Sequence, residues 1–198
     1  LRDLVEENFG AVPLIYRAGR YGLGPHTAGL LGEGGIAIDS SVRARFDYTD
    51  EGGPDYSRHP VAPYWADAGK TLLELPLTTS FWGMLRQQGQ QLYPLAHRYP
   101  LLGSILAKTG MLERIGLTPE DITLEEALRA VDIAIDDDLP LLVLSFHSPS
   151  LAPGHTPYVH DEDDLDRLYD WLRGVYSYLR ARDVRPTTVE EIIASAVR

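Results

Sequence analysis

The run Leu139-Pro140-Leu141-Leu142-Val143-Leu144-Ser145-Phe146 constrains the fold more than any other stretch of the chain. It is almost continuously apolar, so neither side of a strand built from it would suit water. Such strands belong to parallel sheets covered by helices on both faces. The run stops at His147, and the loop from Ser148 to His160 carries Pro149, Pro153, Gly154 and Pro157 as breaks.

Other segments repeat the alternation of strand and helix. Leu1, Leu4, Val5 and Phe9 keep helical spacing over 1–9, with Gly10 placed as the C-cap. Strands are expected at Val12–Tyr16, Ile36–Ile38 and Thr71–Leu77, with a short helix opening at Pro25 and ending near Gly34. Residues 43–66 read as loop, and 81–115 as largely helical with interruptions at Pro94 and Pro100. Thr123 and Glu126 form a capping box ahead of a helix to about Asp137. Leu165, Leu168, Tyr169, Leu172, Val175, Tyr176 and Leu179 mark the clearest amphipathic helix. A last helix follows Pro186, capped by Thr187 or Thr188 with Glu190 or Glu191 three residues on.

Strands alternating with helices imply βα units and a single α/β domain over 1–198, with 44% apolar residues to fill its core. Four strands or so are visible, against the about eight of a closed parallel barrel. A barrel fold would therefore be partial, with uncovered strand edges and a tendency to self-associate.

Charge and composition exclude several functions. The net charge is −11 with no dense basic run, which argues against nucleic acid. The acids Asp161, Glu162, Asp163, Asp164, Asp166 and Asp170 suit the N-terminus of the following helix. There is no cysteine, hence no disulfide and no thiolate metal site. No apolar stretch is long enough to span a membrane. G-x-S-x-G, H-E-x-x-H and P-loop patterns are missing.

In parallel βα folds, functional groups gather where strands end. Three polar sets stand at such ends: Tyr16-Arg17-Ala18-Gly19-Arg20-Tyr21-Gly22, Asp39-Ser40-Ser41, and Phe146-His147-Ser148-Pro149. Arg17, Asp39 and His147 offer a cation, a carboxylate and a titratable acid/base. Each has a plainer use: an ion-pair partner for Arg17, a turn cap for Asp39, a core histidine for His147. His147, His155 and His160 match no common metal-ligand spacing. His26, His59 and His97 read as incidental.

These segments resemble the polysaccharide deacetylases of the NodB-homology type, carbohydrate esterase family 4, and most nearly their WalW-like branch. Tyr16 to Gly22 is similar to the family's third motif, although Gly19-Arg20 stands where proline is common. Ile36 to Val42 is similar to the fourth-motif strand, and Leu144 to Pro149 to the fifth motif with its catalytic histidine. Arg185 to Ile192 resembles the family's ending.

The resemblance implies a partial, distorted (β/α) barrel and a metal-dependent hydrolase removing N-acetyl groups from an amino-sugar polymer. In the family a zinc-like divalent metal is held by an Asp and two His, and a second Asp is the base. The Asp-Asp-Gly and His-x-x-x-His motifs that supply them do not occur here, so they are expected upstream of Leu1 and the 198 residues alone are expected to be inactive. By the same resemblance Arg17 orients the base, the backbone near Tyr21 supports the oxyanion, and His147 is the general acid. Asp39 would tune His147 or tether Arg17, and Arg20, Tyr21 and Trp65 would contact substrate. The alternative expectation is a non-catalytic carbohydrate-binding or scaffold domain, with Tyr48, Tyr56, Tyr64 and Trp65 stacking on sugar rings.

Overall fold

The computed structural model describes residues 2–196, apart from the side chains of His97 and Pro100. The protein is mixed α/β, with parallel strands in one sheet and no closed barrel among the described residues. Two compact units form: the first runs to Leu77 and takes in the residues from Pro186 on, and the second is Thr78–Arg185.

In the first unit, α1 (Arg2–Phe9) stops at Gly10, whose φ of +67° suits glycine and whose N–H bonds to the Glu6 carbonyl at 2.8 Å. Leu1, expected in this helix, lies outside the described residues. The expected apolar stripe finds no cover, for Leu4 and Phe9 are exposed. Then come β1 (Ile15–Tyr16), α2 (Thr27–Glu33), β2 (Ile38–Asp39), β3 (Tyr64–Trp65) and β4 (Leu73–Glu74). The sheet order is β1-β2-β4-β3, with β1, β2 and β4 parallel and β3 antiparallel to β4.

All three expected strands in this unit exist, but each pairs over two residues only. Side chains take over where the backbone ladder stops. Ser40 Oγ donates to the Leu75 carbonyl at 2.9 Å, and the Val42 N–H donates to Glu74 Oε1 at 3.0 Å. The loop over 43–66 has a small core of its own, Val42, Ala44 and Tyr56, and β3 at its end.

The second unit departs further from expectation. Residues 81–82 and 113–115 are not helical: β5 (Thr79–Trp82) pairs antiparallel with β6 (Glu113–Gly116). The two strands are four residues each and come together across the helical segment between them, so neither shows a local period. That segment is α3 (Gly89–Arg98) and α4 (Pro100–Lys108). Pro94 does not interrupt α3; it removes one hydrogen-bond donor without ending the helix, whereas Pro100 opens α4 as expected.

α5 (Leu124–Asp136) carries the anticipated capping box of Thr123 and Glu126. The run Leu139–Phe146 is extended but half-buried and forms no regular ladder. The Thr78 N–H reaches the Val143 carbonyl at 3.1 Å, but the Val143 N–H goes to the Thr78 hydroxyl at 2.7 Å, which breaks the backbone alternation. The Ser145 N–H continues to the Leu117 carbonyl at 3.2 Å. α6 (Glu162–Ala181) is capped by Asp161 and buries Leu168, Trp171 and Val175 against α5 and Leu117. Tyr169 and Tyr176 fall off this stripe and are exposed. α7 (Val189–Ser195) begins at a capping box of Thr188 and Glu191 and belongs to the first unit.

Candidate functional site

Strand register builds the polar centre of the first unit. Tyr16, Asp39, Glu74 and Tyr64 occupy one cross-strand row, while Ile15, Ile38, Leu73 and Trp65 occupy the next. Successive side chains alternate between faces, so Asp39 and Glu74 stand side by side on the same face. Both are buried, at 3% and 1% exposure. Asp39 accepts hydrogen bonds from the Ser41 hydroxyl and from the Glu74 carboxyl. Glu74 also accepts the Val42 N–H.

Burial, and after it the negative charge of Asp39, pushes Glu74 up to about 8. Burial likewise raises Asp39, against the hydrogen bonds of Ser41 and Glu74. At neutral pH the pair therefore holds one negative charge and one shared proton.

Arg17 leaves the end of β1 and is anchored to the strand beside it. Its Nε donates to the Ser40 carbonyl at 2.9 Å and its Nη2 to Ser40 Oγ at 3.0 Å. The next N–H, of Ala18, donates to Ser41 Oγ at 2.8 Å. The structure thus brings Arg17 and Asp39 together through Ser40 and Ser41.

Arg20 and Tyr21 follow with φ of +53° and +56°, in the left-handed region non-glycine residues seldom occupy. The Tyr21 carbonyl accepts the Tyr56 hydroxyl, and the Tyr21 ring stacks on Tyr48 with centroids 5.8 Å apart. Tyr48 also stacks on Phe46, and the Tyr64 hydroxyl lies 2.8 Å from His59 Nδ1. The tyrosines considered as sugar platforms are thus engaged within the loop; Trp65 lies half-buried on β3.

His147 belongs to the second unit. Its ring is held from behind: Nδ1 lies 2.7 Å from Glu120 Oε2, and its backbone N–H donates to Glu120 Oε1 at 2.8 Å. The Ser150 hydroxyl donates to Glu120 as well, at 2.8 Å, and contacts Thr156 Oγ1 at 3.1 Å. The Glu120 side chain is 5% exposed and that of His147 57%. A carboxylate only accepts, so Nδ1 carries the hydrogen toward it and Nε2 is left for solvent or a ligand. The Tyr158 ring stacks alongside at 6.0 Å. This is the anchored, accessible imidazole that proton transfer requires.

The sequence reading did not anticipate Glu74 or Glu120. Glu74 had a visible signal, a lone carboxylate within the apolar run Leu72 to Leu77. Glu120 had none, because it meets His147 across 27 residues.

The residues present do not fit a divalent metal. Among the described residues no three His, Asp or Glu side chains come together to hold one. His160 is turned to Asp164 at 3.1 Å, and the Asp39–Glu74 pair already shares a proton. Among the described residues no helix is long and apolar enough to cross a membrane. No family model, no curated protein and no solved structure matches the chain.

Proposed function

We propose that the chain is part of a hydrolase that removes N-acetyl groups from an amino-sugar polymer, of the polysaccharide deacetylase type with a partial (β/α) barrel. The observation that carries the reading is the His147–Glu120 pair: an exposed imidazole whose Nδ1 is fixed by a buried carboxylate. In amide hydrolysis the departing nitrogen is a poor leaving group until protonated. His147 Nε2–H supplies that proton as the C–N bond breaks and water oxygen bonds to the acetyl carbon. Glu120 stabilises the imidazolium and keeps the ring aimed. Arg17 supports the reading as a fixed cation at a strand end, able to orient a carboxylate. No step is derived through a metal.

The test is acetate release from acetylated chito-oligosaccharides by the protein that contains this chain. His147→Ala is expected to lower kcat by on the order of 100-fold or more, and Glu120→Gln by less. Equal rates for His147→Ala and the parent protein, or no acetate from the parent, would overturn the reading.

A further inference from the structure

We propose that Glu74 is the positioning residue for Arg17: one proton shared between the Glu74 and Asp39 carboxyl groups locks the strand ends on which the Arg17 anchor is built. Every link of the chain is present. Asp39 and Glu74 are register partners on adjacent parallel strands and are hydrogen-bonded to each other. Two carboxyl groups can share such a bond only if one keeps a proton. Asp39 holds Ser41, Ser41 holds the Ala18 N–H, and Glu74 holds the Val42 N–H. Ser40, between Asp39 and Ser41, takes both bonds from Arg17 and ties itself to Leu75 beside Glu74. The corner therefore moves as a unit.

Removing the shared proton places a second negative charge in the same buried row. Repulsion then drives β2 and β4 apart at this end. The charged or titratable groups facing Glu74 are Asp39 on β2, Arg17 beyond β1, Tyr56 in the loop and Tyr64 on β3. Arg17 offsets part of the charge, but its bonds are spent on Ser40. Burial pushes Tyr56 up to about 12 and raises Tyr64 as well, so both stay neutral where Glu74 ionises.

As a role in turnover this rests on the hydrolase reading; the following test reads the corner itself, so the two can fail separately. The ¹⁵N resonances of Arg17 Nε and Ala18 N are followed from roughly pH 6 to 10 in the parent chain, in Glu74→Gln and in Glu74→Ala. In the parent chain both signals are expected to shift with a midpoint near the value of about 8 that the buried pair imposes. Glu74→Gln, whose amide can still bridge Asp39 and Val42, is expected to hold the low-pH positions throughout. Glu74→Ala is expected to show the displaced positions from the start. Flat signals in the parent chain, or the same inflection in Glu74→Gln, would overturn the proposal. If the inflection appears but acetate release does not track it, the hydrolase reading suffers and the shared proton stands.

Discussion

In the first unit the middle of the sheet is occupied by Asp39, Ser40, Ser41 and Glu74, all buried, whereas the second unit is built around Leu117, Ala127, Val131, Trp171 and Val175. The first is held by directional bonds between side chains and backbone across strands only two residues long. The second is held by apolar contact between two long, capped helices and the strands beside them. The two regions therefore depend differently on solvent conditions. Apolar burial is nearly indifferent to pH, while a buried carboxyl pair is not.

The signs can be worked out for each unit. Glu74 has a folded pKa of about 8, raised from 4.5, so the folded chain keeps the proton when the unfolded chain has lost it. Stability from this group is complete below its unfolded value and is lost as pH rises through about 8. The slope is about 1.4 kcal/mol per pH unit across that window. In the second unit Asp164 is held down to about 2, first by the His160 N–H and then by Arg167. Its contribution is present above the ordinary carboxylate range and is lost as pH falls through about 2. Base loosens the first unit and acid the second.

Substitutions sharpen the contrast. Trp171→Ala removes the largest side chain of the helical core and its bond to the Ile122 carbonyl. It should cost about 3–5 kcal/mol in chemical denaturation, by the same amount at neutral and mildly basic pH. Ser41→Ala strands the Ala18 N–H and one bond of Asp39. It should cost about 1–3 kcal/mol, and a loss that does not depend on pH would count against the coupled corner. Thr123→Ala removes the cap of α5 and should cost about 1 kcal/mol, read as faster amide exchange in its first turn. Equal sensitivity of the two units to pH in any of these variants would dissolve the contrast.

The same difference in chemistry explains what the sequence made legible. Helices α5 and α6 and the last cap announce themselves through local patterns, namely capping boxes and a 3.6-residue stripe. The stripe overreached at Tyr169 and Tyr176, because an aromatic ring suits a half-exposed helix face nearly as well as a core. The strand ends bearing Arg17, Asp39 and His147 were visible as places where apolar runs meet polar residues. Their partners were not. Ser40 and Glu74 meet across 35 residues or so through Leu75 and Val42, and Glu120 meets His147 across 27. Periodicity carries no information about such pairings, and β5 with β6 was lost for the same reason.

Hydrogen exchange measured at mildly acidic and mildly basic pH, corrected for intrinsic rates, tests the central claim most directly. Protection at the Ala18 and Val42 amides is predicted to collapse as pH passes about 8, while that of α5 and α6 holds, and Glu74→Gln is predicted to abolish the collapse. Protection that falls equally in both units, or that falls just as far in Glu74→Gln, would contradict it.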